Sequence, residues 1–237
     1  MYKMTFNIAI IGATGAVGHK LLSTIFEREF PVNKIHLVAS KKSIGKIIKY
    51  KNKEFVVESI ESFDFSKVDI SFFSAGASVS SNYALIAEKK NCYVIDNTSF
   101  FRMHPDIELI IPEVNESDLE KTERKIISNP NCSTIQMLVA LHPIHKINKI
   151  KKIVVSTYQS VSGAGQKSIN ELLYQSEFFL NKDKKSQVVT DNFPKPIAFN
   201  VIPQIDVFMD NKFTKEEMKM VNETKKILDK NINVNAT

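Results

Sequence analysis

The 237-residue sequence predicts an α/β fold: a doubly wound, mostly parallel sheet over residues 1–127, followed by an α+β domain over 128–237. Three observations predict it. In the first half, short continuous apolar runs alternate with amphipathic helical stretches. A glycine-spaced turn joins the first of those runs to the first helix. At about residue 128 the rhythm changes, and helices then outnumber strands.

In chain order, "FNIAIIGA" (6–13), "KIHLVAS" (34–40), "VDISFFSAG" (68–76), "CYVIDNTS" (92–99) and "IELIIPEV" (107–114) read as strands. Their unbroken apolar character suits strands covered on both faces of a parallel sheet. Between them, 17–29 and 80–90 show helical spacing, which implies right-handed crossovers and an open sheet. The polar segment 41–63 breaks that rhythm and predicts a small lysine-rich hairpin. Beyond Cys132 the sequence predicts a helix over 133–147, a strand over 151–161 and a glycine-containing turn over 162–165. A helix over 166–180 and a polar stretch over 181–195 come next. The last helix, 214–230, opens on Thr214 as N-cap with Glu217 three residues on, a capping box. "NINVNAT" then begins another strand. Neither an internal repeat nor a low-complexity linker interrupts the chain.

Composition narrows the function classes. A chain that is 43% hydrophobic and 24% charged has ordinary globular composition. Its apolar runs are too short to span a bilayer, and residues 1–11 lack a signal-peptide pattern, so a cytoplasmic location is expected. Two cysteines provide no disulfide framework in a chain of this length. The five histidines show no metal-ligand spacing, and His142 with His145 reads as a solvated helix face; no metal is expected. The net charge of +6 does not point to nucleic acid: of the 32 basic side chains only Arg28, Arg102 and Arg124 are arginine, and the lysines are dispersed without a recognition motif. Where lysine is the default cation, a retained arginine suggests a geometric need.

The turn "IAIIGATGAVG" sets Gly12, Gly15 and Gly18 at three-residue spacing between a strand and a helix. Gly12 permits the tight turn and Gly15 lets a phosphate approach the backbone, while the helix N-terminus offers free N–H groups to a pyrophosphate. Dinucleotide sites that take NAD usually place an acid at the end of the second strand. This chain has Ser40, Lys41, Lys42 and Ser43 there, which suit a 2′-phosphate. A solvated lysine run is the competing reading, and the position after the second strand favours NADP.

Cys132 lies in "SNPNCSTIQ", where a helix start favours thiolate over thiol. A buried structural cysteine competes with that reading, and Asn131, the tight turn and the nucleotide motif favour a nucleophile. Cys92 opens an apolar strand and reads as an inert core residue. A thiolate beside a nicotinamide suggests attack on an aldehyde, oxidation and an acyl-thioester, which water, phosphate or CoA would then release. Arg102, after the fourth of the apolar runs, has the planar fork to hold a phosphate or carboxylate, although a surface role competes.

Together, "GATGAVG", "FFSAG", "DNTSFFRM", "PEVN", "SNPNCSTIQ", "YQSVSGAG" and "EEMKMVNETKKI" resemble bacterial aspartate-β-semialdehyde dehydrogenases, in order, from residue 6 to the end. The resemblance implies an NADP-dependent, reversible oxidation and phosphorylation of L-aspartate 4-semialdehyde to L-4-aspartyl phosphate, in lysine, threonine, methionine and diaminopimelate biosynthesis. It implies a Rossmann-type domain over 1–127 and a catalytic and dimerisation domain over 128–237, forming a homodimer. By the same resemblance Cys132 is the nucleophile, Asn131 a polar contact to the reacting group and Gln159 a positioner of the substrate. Arg102 and Lys219 match phosphate-binding cations, and Glu216 matches the acid that receives the substrate amine. Thr14, Gly15, Ala16 and Val17, with Gly12, match the pyrophosphate turn. Ser40, Lys42 and Ser43 match the 2′-phosphate site, and Ser162 and Gly163 the nicotinamide contacts. Two departures stand out. Lys42 replaces a common arginine. The family's catalytic histidine and a second substrate arginine fall beyond Thr237, so a truncated, inactive and poorly folded chain is expected. A non-catalytic nucleotide-binding relative and an acetylglutamyl-phosphate-reductase-like enzyme are the alternatives.

Overall fold

The computed structural model describes residues 4–181 and 188–237; part of the polar stretch, 182–187, lies outside the described residues. The chain divides into two compact units, Met1–Ile153 with Lys219–Val234, and Val154–Met218 with Asn235–Thr237.

The first unit is built on a seven-stranded sheet. Its strands are β1 (Phe6–Ile11), β2 (Val32–Ala39), β3 (Ile47–Tyr50), β4 (Lys53–Ser59), β5 (Ile70–Phe73), β6 (Tyr93–Asp96) and β7 (Ile126–Ser128). They run in the order β3-β4-β2-β1-β5-β6-β7. Every pairing is parallel except β3 with β4. Helices α1 (Ala16–Glu27) and α2 (Ala77–Lys89) provide crossovers. Alternate side chains of β1 face opposite cores, which accounts for its unbroken apolar run. Ile8 and Ile10 join Leu22, Ile25, Leu37 and Val57 on one side. Ala9 and Ile11 join Phe73, Ala84, Ala87 and Val94 on the other. All four β1 residues are almost inaccessible to solvent.

The lysine-rich segment forms the expected hairpin, yet it is part of the main sheet: β4 pairs in parallel with β2 through Leu37–Val57 to Ala39–Ser59. The run 107–114 is not a strand. Only Leu109 bridges Ser128, and Pro112 opens α3 (Pro112–Asn115) at its first turn. Proline lacks the N–H that a strand would need at that point. The Asn115 amide ties the turn shut, accepting from Ile111 N at 2.9 Å and donating to Leu109 O at 3.0 Å. The sheet position expected of that run belongs to β7, whose three residues are too short to show a period.

Helix α4 (Cys132–Ile147) follows directly, and α6 (Lys215–Ile227) is the last helix. Leu138 of α4 and Ile227 of α6 bury against Leu109 and Ile111 in a third apolar cluster. The capping box forms as predicted: Glu217 N donates to Thr214 Oγ1 at 3.2 Å and Thr214 N to a Glu217 carboxylate oxygen at 2.6 Å. The strand expected over 151–161 is shorter, β8 (Lys152–Val155), and it pairs with β9 (Asn233–Ala236), the strand that "NINVNAT" begins. A 3₁₀ turn, Val161–Ala164, leads into α5 (Gln166–Leu180) in the second unit. There the α5 residue Gln175 is fully buried and accepts from Ile197 N and Ala198 N, tying those two residues to the helix.

Candidate active site

Three clusters carry most of the predicted site residues. The first is the glycine turn at the carboxyl end of β1. Gly12 has φ +91°, and a Cβ there would lie 2.9 Å from the backbone carbon of Ser74. Gly18 lets α1 rest on the turn: a Cβ on it would meet Gly12 O at 2.4 Å and Ala13 Cα at 2.6 Å. Gly15 is the N-cap of α1, without a side-chain cap, and Thr14, Gly15, Ala16 and Val17 are exposed. This is a bare helix N-terminus on a turn that only glycine allows, and it fits a pyrophosphate.

The second cluster closes β2. Ser40, the N-cap of a short 3₁₀ turn over Lys41–Ser43, and Lys42 are exposed, while Ser43 is buried with its N–H on Ser40 O at 2.9 Å. Lys41 is ion-paired with Glu61, whose carboxylate raises the lysine's pKa. Among the described residues Lys42 makes no ion pair and remains the available cation.

The third cluster surrounds the thiol. Cys132 is exposed and is the first residue of α4. Asn131 caps the helix, its side-chain oxygen accepting from Ser133 N at 2.9 Å and Thr134 N at 3.4 Å. Cys92 is fully buried; its thiol donates to Ser71 Oγ, and burial pushes its pKa up. The two cysteines thus differ in exposure, Cys132 at the surface and Cys92 in the core.

Arg102 is not a surface side chain. It is buried, with Nε on Thr98 O at 3.1 Å, Nη2 on Asn97 O at 3.2 Å and Nη1 on the Glu223 carboxylate at 3.0 Å. The loop carrying it leaves β6 through a turn made by buried Asp96, which accepts from Thr98 N and Oγ1 and from Ser80 Oγ. Glu223, fully buried on α6, takes the Asn131 N–H on its other oxygen at 2.7 Å. One carboxylate therefore joins the arginine to the residue preceding the cysteine. Farther along α6, Lys226 inserts its ammonium among the carbonyls of Arg102, His104 and Ile107 at 2.7–2.9 Å. Sequence reading passed over both Glu223 and Lys226. The usable signal was periodicity: from Lys219, positions 223 and 226 follow at helical i+4 and i+7 spacing.

Glu216 is buried and Lys219 half-buried, both on α6. In the second unit Gln159 is exposed, and a Cβ on Gly163 would lie 2.8 Å from its Cγ and Cδ, so the glycine makes room for the glutamine. Ser162, also exposed, exchanges a 2.8 Å hydrogen bond with Ser160.

The reading of His142 and His145 as one solvated face needs correction. His145 is buried, accepts from Ile150 N at 3.2 Å and faces Asp229 at 3.9 Å. The burial follows from its place on α4 opposite the end of α6. His36 pairs with Glu58 at 2.6 Å, His104 accepts from Asp106 N, and His142 contacts Glu113 O. Among the described residues no group of three His, Cys, Asp or Glu could hold a metal, and no helix is long and apolar enough to cross a membrane.

Comparison with known proteins identifies the family. Residues 7–122 match the semialdehyde dehydrogenase NAD-binding domain model, and residues 141–237 match the semialdehyde dehydrogenase dimerisation domain model. Aspartate-semialdehyde dehydrogenase 2 of Vibrio cholerae is 53% identical over 234 residues, 98% of this chain and 68% of that protein. The Campylobacter jejuni aspartate-semialdehyde dehydrogenase is 48% identical, with the same coverage of each chain. The crystal structure of the V. cholerae aspartate semialdehyde dehydrogenase II complexed with ASA superposes with a TM-score of 0.94 at 52% identity, over 99% of this chain and 70% of that one. A matching nucleotide turn, an exposed helix-start cysteine and this extent of identity agree on one conclusion: the chain belongs to the aspartate-semialdehyde dehydrogenase family.

Proposed function

We propose that the protein catalyses the NADP-dependent, reversible conversion of L-aspartate 4-semialdehyde and phosphate to L-4-aspartyl phosphate, in the synthesis of lysine, threonine and methionine. The observation that carries this reading is Cys132, exposed on the first turn of α4 and linked through Asn131 and Glu223 to Arg102.

Cys132 Sγ attacks the aldehyde carbon; the C–S bond forms and the carbonyl oxygen gains a proton, giving a thiohemiacetal. Oxidation to the acyl-thioester removes a hydride from this carbon, for which NADP, when bound, would be the acceptor, and releases the hydroxyl proton to solvent. A phosphate oxygen then attacks the thioester carbonyl, and the C–S bond breaks with its electron pair returning to sulfur. Asn131 fixes the helix end carrying the thiol, and Gln159 orients the reacting group. Among the described residues Arg102 spends three of its five N–H groups on the protein, leaving two for a phosphate. Lys219 adds a second cation, and Glu216 receives the substrate ammonium.

Gly12, Thr14, Gly15, Ala16 and Val17 hold the pyrophosphate, Ser40, Lys42 and Ser43 the 2′-phosphate, and Ser162 and Gly163 the nicotinamide end. We infer a division into a nucleotide domain, 1–127, and a catalytic and dimerisation domain, 128–237, as part of this reading; the gap between the two matched segments, 123–140, supports it, while the compact units divide at Ile153. The enzyme works in the cytoplasm as a homodimer, and the dimerisation-domain match with exposed Phe199, Val201, Val207 and Phe208 in the second unit supports the pairing.

The test is phosphate-dependent reduction of NADP with the semialdehyde by the full chain. Cys132→Ala should lower kcat by at least about a thousandfold. In the native protein iodoacetamide should modify Cys132 well before Cys92. Undiminished turnover in C132A, or equal slow labelling of both thiols, overturns the assignment.

A further inference from the structure

We propose that Glu223 is a positioning residue for this reaction: its carboxylate orients the Arg102 guanidinium and, by gripping the Asn131 N–H, fixes the start of the helix that presents Cys132. The inference rests on the reading of Arg102 as a phosphate ligand. It starts from burial. Glu223 is 1% exposed, and a carboxylate held that far from water must be fully compensated. Its two oxygens are divided between separate segments of chain. One accepts from Arg102 Nη1 at 3.0 Å, across 121 residues of sequence. The other accepts from Asn131 N at 2.7 Å, across 92 residues.

Each segment has other anchors, and Glu223 bridges the two through a single buried carboxylate. Thr98 O and Asn97 O hold the Nε and Nη2 sides of the guanidinium, so the Glu223 contact at Nη1 sets the remaining rotation of the fork. The Asn131 side-chain oxygen accepts from Ser133 N and Thr134 N within the helix, and the Glu223 bond fastens its backbone N–H from outside. Asn129 adds a parallel strut, donating to Asn97 Oδ1 at 2.7 Å. Lys226, one turn beyond Glu223, grips the carbonyls of Arg102, His104 and Ile107, so α6 holds both the arginine's side chain and the backbone that follows it. The anion site and the thiol thus share one carboxylate.

The geometry makes glutamine a discriminating replacement. Glu223→Gln keeps the shape but turns one acceptor into an N–H₂ donor, which must then face either Arg102 Nη1 or Asn131 N. On the full chain, KM for phosphate should rise tenfold or more, while KM for NADP stays within about twofold and the thermal midpoint indicates a folded protein. Equal rises in the KM values for phosphate, NADP and semialdehyde, or an unchanged KM for phosphate, overturn the proposal. Glu223→Asp, which keeps the charge but is one methylene too short to span both partners, should show the same split; it also carries the test if E223Q does not fold. Arg102→Lys separates the two levels of the inference. A KM for phosphate that moves in R102K but not in the Glu223 variants overturns the positioning role alone. One that moves in none of them overturns the Arg102 assignment with it.

Discussion

Gly18→Ala should damage both the fold and the cofactor site, and the size of the damage follows from the backbone. The added Cβ would lie 2.4 Å from Gly12 O, 2.6 Å from Ala13 Cα and 2.9 Å from Ala13 C. Carbon contacts are comfortable at about 3.5–4.0 Å, so α1 must lift off the turn by roughly 1 Å. The obstacles are backbone atoms of the turn itself, which rotamer changes cannot relieve. Overpacking of this kind costs about 1–3 kcal/mol, and a backbone-on-backbone clash belongs at the upper end. For a chain of this size about 3 kcal/mol lowers the thermal midpoint by roughly 6–12 °C. The lifted segment is also the N-terminus of α1, with the exposed Thr14–Val17 turn before it. NADP affinity should therefore fall by tenfold or more. Gly15→Ala is the matched control, because its Cβ would meet only Gly12 O, at an ordinary 3.4 Å. Its stability loss should stay below about 1 kcal/mol, the cost of alanine at an N-cap. NADP binding in G15A should nevertheless weaken, since the new methyl occupies the approach to the helix N-terminus. Differential scanning calorimetry and titration calorimetry on both variants read the two effects separately. A G18A protein with native melting and native NADP affinity would refute the reasoning.

Lys42→Glu should weaken NADP binding at least tenfold and leave NAD binding within twofold, whereas Lys41→Gln should do little, because Lys41 is already paired with Glu61; cofactor titrations at fixed salt check both. Gly163→Ala should push the Gln159 side chain aside and cut kcat/KM for the semialdehyde about tenfold without moving the melting temperature, because the clash is with a flexible, exposed side chain; unchanged kinetics count against the Gln159 role. Glu88→Gln should cost about 1–3 kcal/mol at neutral pH, since Arg124 chelates the Glu88 carboxylate at 2.8 and 2.7 Å and Lys125 N donates to it at 2.9 Å. Those bonds, led by the Arg124 guanidinium, hold the folded Glu88 pKa below its ordinary 4.5. The stabilisation is therefore complete above pH 4.5 and is lost as pH falls through the folded value, so melting curves of wild type and E88Q should converge in acid.

The sheet and its nucleotide turn were legible because each rests on a local rule. β1 reads as a continuous apolar run since Ile8 and Ile10 serve one core and Ala9 and Ile11 the other. The glycine spacing reports backbone demands within seven residues of chain. The start of α4 was equally plain, since Asn131 caps its own helix. Where reading failed, the deciding partner lay elsewhere. The run 107–114 has a strand's composition, but Pro112 and the Asn115 side chain turn it away from the sheet after one bridge. His145 reads as surface on its own helix and is buried because Asp229 and the Ile150 N–H come to it. Glu223 shows the limit most sharply: within "VNETKKI" it is one acid in a polar helix, and its role is set by an arginine 121 residues earlier and a backbone N–H 92 residues earlier. Buried charge is where local rules should fail, because a carboxylate can leave water only if distant segments bring it donors. Residues that sequence places on the polar side of a helix, and the fold places in its interior, are therefore the ones to test first.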